Sequence, residues 1–332
     1  MSADWAAVLS FADVVAAADR LAGTVERTPV LTSRALDVAV GAGAELFLKA
    51  ECRQVTGSFK FRGASNAIRQ LTGEQLRRGV ITYSSGNHAQ AVAKAARMVG
   101  TDAVVVMPHD APQQKVAATE AEGARIVRYD RYCEDRVAVA GTIAKAEGRV
   151  VIPPYDHPAV MAGQGTVGLE LVEEVPDLDA IYVPVGGGGL LAGIATAIDP
   201  IRPEAEIYGV EPETGDDHRR SRRAGRRVAI DVPVTIADGQ QITAPGELTW
   251  PITSRLATAF VTVTDDEIVA AMRLLYDHLD LVVEPSGASA MAAVHNRAVR
   301  DGGADLSGQR IGVVVSGGNI DRARHRELIG AG

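Results

Sequence analysis

Lys60 stands between Phe59 and Phe61 in the run Gly57-Ser58-Phe59-Lys60-Phe61-Arg62-Gly63-Ala64. Aromatic neighbours desolvate an amine and favour its neutral, nucleophilic form, the form that condenses with a carbonyl. The same run also fits a lysine that lays its stem on apolar surface and keeps its head in water. A second segment, Ser84-Ser85-Gly86-Asn87-His88, puts hydroxyl and amide donors where a helix should begin. It is either a seat for an anion such as a carboxylate or a plain capping turn. A third, Gly186-Gly187-Gly188-Gly189-Leu190, spends conformational entropy on four glycines, which a close approach of backbone N–H groups to a phosphate would justify. It lacks the lysine of a nucleotide P-loop and the spacing of a dinucleotide fingerprint. The fourth, Ser316-Gly317-Gly318-Asn319, offers a hydroxyl to a flat ring, or is ordinary loop chemistry.

These segments need elements to hold them. Short β-branched runs without polar alternation read as strands covered on both faces: Glu45–Lys49, Val80–Tyr83, Ala103–Met107, Ile126–Tyr129, Val150–Ile152, Ala180–Pro184, Ile207–Val210, Phe260–Val263 and Ile311–Val315. Amphipathic or Ala-rich stretches lie between many of them, including His88–Val99, Ala111–Ala121, Cys133–Glu147, Gly189–Ala197 and Asp265–His278. Alternating strand and helix implies parallel sheets whose ligands sit at the carboxyl ends of strands. Three of the four segments directly follow a strand.

Composition sets the outer limits. The 332 residues carry 34 Lys and Arg against 42 Asp and Glu, a net charge of −8, with 46% hydrophobic and 4% aromatic residues. That is ordinary globular composition for about two domains. A negative chain is a poor binder of nucleic acid or anionic membrane, and the expectation is neither. Two cysteines, Cys52 and Cys133, build no disulfide framework and fit a reducing cytoplasm. The first twenty residues lack a basic head and apolar run, so no secretory signal is expected there. The longest uncharged stretch is interrupted by Pro184 and the glycine run, which argues against a membrane span. Six arginines between His218 and Arg227 read as a solvated helix and turn rather than a docking patch.

An activated lysine, a carboxylate loop, a phosphate cup and a ring-facing serine together describe a pyridoxal-phosphate site. With Thr28-Pro29-Val30-Leu31, Ile152-Pro153-Pro154-Tyr155-Asp156, Ala162-Gly163-Gln164-Gly165-Thr166 and Ala237-Asp238-Gly239, the ordered set closely resembles fold-type-II enzymes of the threonine dehydratase and serine racemase family. The resemblance implies an α/β fold of the tryptophan synthase β type, with the cofactor between two parallel-sheet domains. The expected large domain is 1–78 with 157–332. The expected small mobile domain is 79–156, which would carry the carboxylate loop and close over the cofactor.

By that resemblance Lys60 would hold the cofactor as a Schiff base, with Phe59 beside it. Asn87 would lie beside the ring hydroxyl, Gly186, Gly187, Gly188, Gly189 and Leu190 would hold the phosphate, and Ser316 would meet the pyridine nitrogen. Ser84, Ser85, Gly86, Asn87 and His88 would bind the substrate carboxylate, and Ser85 matches the acid or base of family racemases. The implied activity is an ammonia-lyase acting on L-threonine or L-serine, in a homodimer. Threo-3-hydroxyaspartate elimination and serine racemisation are same-fold alternatives, and a silent amino-acid-binding protein is a remote one. Tyr129-Asp130-Arg131-Tyr132-Cys133-Glu134-Asp135-Arg136 looks like a hydroxyaspartate dehydratase segment, in which Arg131 or Arg136 would take a second carboxylate or else simply start a charged helix.

Glu211-Pro212-Glu213-Thr214-Gly215-Asp216-Asp217 resembles the loop that binds Mg²⁺, Ca²⁺ or Mn²⁺ in cation-stimulated relatives. The implied ligands are Glu211, the Gly215 carbonyl and Asp217, and the alternative is an exposed, metal-free acidic turn. Val55 replaces the lysine of nucleotide-activated racemases, so activation by ATP is not expected. The chain's end soon after Ser316 leaves no room for a regulatory domain of the isoleucine-inhibited type.

Overall fold

The computed structural model describes residues 5–41, 43–300 and 306–330. The outermost residues of the expected large-domain range, 1–4 and 331–332, lie outside the described residues, as do 42 and 301–305. Among the described residues ten strands run as β1 (Val30–Leu31), β2 (Glu45–Ala50), β3 (Val80–Tyr83), β4 (Ala103–Pro108), β5 (Arg125–Tyr129), β6 (Val150–Val151), β7 (Ala180–Pro184), β8 (Glu206–Pro212), β9 (Ala259–Val263) and β10 (Arg310–Val315). They form a six-stranded sheet in the order β1-β2-β10-β7-β8-β9 and a four-stranded sheet in the order β5-β4-β3-β6. All pairings are parallel except that of β1 with β2. Each of the nine expected strands is present.

The helices are α1 (Phe11–Leu21), α2 (Arg34–Val40), α3 (Lys60–Ile68), α4 (Gly73–Arg78), α5 (Asn87–Val99), α6 (Gln113–Ala121), α7 (Arg136–Glu147), α8 (Pro158–Glu174), α9 (Gly189–Ile198), α10 (Asp217–Ala224), α11 (Thr249–Leu256), α12 (Asp265–Leu279), α13 (Pro285–Arg300) and α14 (Arg322–Ile329). The helix expected from Cys133 begins three residues later. The Asp135 carboxylate accepts from the amides of Val137 and Ala138 and so caps it.

The larger sheet buries Leu46, Leu48, Tyr182, Val210, Val313 and Val315 under α12 and α13, and Ile181, Val183, Ile207 and Val314 on its other face. Each such side chain contributes on the order of 1.5–3 kcal/mol by leaving water. Around the smaller sheet, Val80, Val105 and Met107 pack with Phe61, Ala64 and Ile68 of α3 and with the alanines of α5. Helix α3 thus joins the core of the smaller sheet, although it precedes residue 79. Helices α8 and α9 touch through glycine: a Cβ on Gly193 would stand 2.3 Å from the Met161 carbonyl oxygen.

One buried ionic cluster anchors α3. Arg62 donates to both Glu51 oxygens at 2.8 Å and to Glu170 at 2.6 and 2.8 Å, while Lys49 reaches Glu170 at 2.6 Å. Two cations face two carboxylates, so the charge closes. In the arginine-rich α10 region, Arg222 binds the carbonyls of Ser254 and Ala257, Arg219 binds Thr262 and Arg227 binds the Pro245 carbonyl. These guanidiniums pin loops.

Candidate active site

Five of the segments singled out by residue type lie at carboxyl ends of parallel strands. The Lys60 run follows β2, Ser84–Asn87 follows β3, the glycines follow β7, Glu211 ends β8 and Ser316 follows β10. The first three and Ser316 converge on one cleft of about 320 Å³ between the two sheets. Lys60 is the first residue of α3, placed there by Gly57 at φ +73° and by a bond from the Phe59 amide to the Ser316 carbonyl at 3.1 Å. Its amine donates to the Pro154 carbonyl at 2.7 Å and stands 5.0 Å from the Phe59 ring centroid. Burial pushes this amine down to about 8, against the pull of Glu284. The lysine is a poised nucleophile.

Asn87 opens α5. Its amide donates to Glu284 at 2.6 Å, and its carbonyl oxygen accepts from Asn319 at 2.8 Å. Burial, helped by the charge of Asp238, pushes the Glu284 carboxyl up to about 8. His88 turns its imidazole into the smaller sheet, with Nε2 3.0 Å from the Ile152 carbonyl oxygen. Burial and the Lys60 charge push it down to about 3, so it is neutral and donates that bond. Ser84 Oγ accepts from the Gly86 amide at 3.2 Å, whereas the Ser85 hydroxyl, also in the cleft, has no partner among the described residues.

At the glycine run, among the described residues no acceptor takes the amides of Gly186, Gly187 or Gly188. Helix α9 starts at Gly189, so its first-turn amides are open as well. A row of free donors at a helix start, beside a desolvated lysine, fits a phosphate-bearing aldehyde such as pyridoxal phosphate. Gly187 and Gly189 lie under Tyr155; a Cβ on Gly187 would stand 2.4 Å from that ring. Gly188 has φ +93°. Across the cleft, the Ser316 hydroxyl makes a long 3.5 Å contact to the Ser286 carbonyl.

The mouth is charged. Lys115 of α6 pairs with Asp238 of the opposite unit, and Arg131 pairs with Asp110 at 2.8 Å. Arg136 lines the cleft near Tyr83, 5.9 Å from its ring centroid, and has no carboxylate partner among the described residues. A second cavity of about 460 Å³ lies alongside, sharing Lys115, Asp238 and Glu284.

Glu211 and Asp217 are buried, so the exposed acidic turn is not what forms. Glu211 accepts from the amides of His218 at 2.8 Å and Arg219 at 3.0 Å, at the start of α10. Burial pushes both carboxyls up. His218 is buried beside them, and all three place a potential ligand atom within 4.8 Å of one another. Gly215 is buried in the same loop.

Sequence reasoning passed over Tyr155 as a wall, Glu284 as the partner of Asn87, and His218. Tyr155 lies inside the segment Ile152–Asp156, but neither it nor Glu284 signals its partner by spacing. His218 was visible only as the first residue of the arginine run.

Residues 21–317 match the family described as pyridoxal-phosphate dependent enzyme. The chain is 47% identical over 320 residues to an L-threo-3-hydroxyaspartate ammonia-lyase of Pseudomonas sp, which spans 96% of this chain and 98% of that one. It is 45% identical to a serine racemase of Schizosaccharomyces pombe, over 96% of this chain and 97% of the relative. The structure of maize serine racemase superposes with a TM-score of 0.91 at 40% identity, covering 98% of each chain. With Lys60, the glycine run and Ser316 lining one cleft, the chain belongs to the pyridoxal-phosphate dependent enzymes of fold type II.

Proposed function

We propose that this chain is an ammonia-lyase acting on a small β-hydroxy amino acid, and that within this class a substrate with a second carboxylate, threo-3-hydroxyaspartate, is preferred to L-threonine or L-serine. Arg136 carries the preference. It is a guanidinium without a carboxylate partner at the mouth of the cleft, whereas neighbouring Arg131 is neutralised by Asp110. A bidentate carboxylate is its natural ligand.

Pyridoxal phosphate, when bound, supplies an electron sink for the substrate's Cα–H bonding electrons. Lys60 would hold the cofactor and, once displaced by the substrate amine, take the α-proton. The β-hydroxyl would then leave as water, taking up one proton for the one that Lys60 removes from Cα, and hydrolysis of the released product would give a 2-oxo acid and ammonia. Ser84–Asn87 would seat the α-carboxylate and Gly186–Leu190 the phosphate. Ser316 would bring a hydroxyl rather than a carboxylate to the ring nitrogen, which would leave that nitrogen largely unprotonated and favour prompt β-elimination. The free Ser85 hydroxyl supports a second activity, racemisation, by protonating the face opposite Lys60.

Residues 79–156 would move as a small domain and close the carboxylate loop over the site. Glu211, Asp217 and the Gly215 carbonyl would hold a divalent cation, Mg²⁺, Ca²⁺ or Mn²⁺. The reading carries with it a homodimer in a reducing cytoplasm, in keeping with two free cysteines; among the described residues no helix is long and apolar enough to cross a membrane.

The test compares kcat/KM for threo-3-hydroxyaspartate, L-threonine and L-serine, with a chiral assay for D-serine. Arg136→Ala should lower kcat/KM for the dicarboxylate by about 10- to 100-fold, as expected for a lost charged hydrogen-bonding pair, and leave the other substrates within about threefold. Equal loss on all three would refute the assignment of Arg136.

A further inference from the structure

We infer that His218 is a nitrogen ligand of the cation held by the Glu211 loop, and that its other ring nitrogen links the ion to the glycine cup, so that cation and pyridoxal phosphate bind cooperatively. The inference rests on the cation reading above and adds a residue to it.

His218 Nδ1 lies 3.6 Å from Glu211 Oε1 and 3.5 Å from Asp217 Oδ2. All three side chains are buried. Among the described residues neither ring nitrogen of His218 has a hydrogen-bond partner, nor does Asp217 Oδ2. Three buried polar atoms left without protein partners are costly unless something satisfies them. A divalent ion on Glu211, Asp217 and Nδ1 would do so, and Glu211 can keep its two amide bonds with its remaining lone pairs.

The far side of the same ring lies against Gly188 of the glycine run. A Cβ on Gly188 would stand 2.9 Å from His218 Nε2 and 2.8 Å from Thr249 Oγ1. Phe260 and Trp250 flank the imidazole, with ring centroids 5.1 and 6.3 Å away at interplanar angles of 37° and 60°. Metal on Nδ1 places the ring proton on Nε2 and turns that atom into a fixed donor beside the cup. Mixed nitrogen and oxygen ligation also favours Mn²⁺ over Mg²⁺ and Ca²⁺, which prefer oxygen alone.

Holoenzyme stripped of cations with a chelator and reloaded with Mn²⁺ should show ¹⁴N modulation from bound imidazole in pulsed EPR. In protein freed of both groups, Mn²⁺ should tighten the Kd for pyridoxal phosphate about fivefold or more, and less than about twofold in His218→Asn. The wild-type spectrum decides the ligand even if the variant folds poorly, and His218→Gln provides a second variant. Bound Mn²⁺ with an oxygen-only spectrum overturns the role of His218 and leaves the cation reading standing. A nitrogen signal with unchanged cofactor affinity overturns the link to the cup. No bound Mn²⁺ overturns the cation reading and this inference with it.

Discussion

Asn87 donates its side-chain amide to Glu284 at 2.6 Å, and that bond ties the loop after β3 in the smaller sheet to the start of α13 on the larger one. Glu284 keeps its proton to about 8 when folded, against 4.5 for a free carboxyl. Its contribution to stability is full below 4.5 and is lost as pH rises toward 8. Glu284→Gln cannot ionise, so it should gain stability relative to wild type as pH rises. Urea melts of the cofactor-free protein at about pH 5.5 and 7.5 would read this, and a pH-independent difference would count against it.

Lys60 is charged below about 8 and neutral above. Covalent capture of pyridoxal phosphate by the cofactor-free protein should therefore accelerate about tenfold per pH unit up to that point and then level off. Lys60→Ala should lose borohydride-fixed cofactor by mass spectrometry and reduce turnover by roughly 10³-fold or more.

Arg62 is fully buried between Glu51 and Glu170. Burial alone would raise the Glu51 carboxyl, but Arg62 and Thr28 more than offset it and hold it below 4.5. That contribution is present above 4.5 and is lost as pH falls through the lower folded value. Arg62→Met should cost about 3–5 kcal/mol at neutral pH, because Glu51 is left buried and unpaired. The gap should narrow in acid. Denaturant melts across that range check both statements.

Gly187 has no room for a methyl group beneath Tyr155. Gly187→Ala should weaken pyridoxal phosphate binding at least about tenfold by displacing the ring or the loop. Adding Tyr155→Ala should recover part of the loss, a coupling that a double-mutant cycle on cofactor affinity measures.

The strands were legible because doubly covered parallel strands are written as uninterrupted apolar runs, as Val104, Val105 and Val106 show. Strand β1 was not, since two residues carry no period. The cleft was legible where chemistry is local: Lys60, the glycine run and Ser316 each bring their own neighbours. What stayed hidden was long-range. Glu284 meets Asn87 across 197 positions, and Arg62 meets Glu170 across 108, so nothing in either neighbourhood announces the partner. The helix from Cys133 was placed too early because Asp135 prefers the capping position to the helix interior.

Strand β10 lies between β2 and β7 in the larger sheet, so residues 45–50 wait for residues 310–315 before they gain their central neighbour. During synthesis β1-β2 and β7-β8-β9 should therefore stay apart until β10 has been made. Until then Phe59, beside Lys60, lacks the Ser316 carbonyl that its amide binds. Such end-to-end pairing is slow to nucleate and exposes strand edges while it waits. A nascent chain arrested before Val315 should therefore be colourless with pyridoxal phosphate and in need of a chaperone.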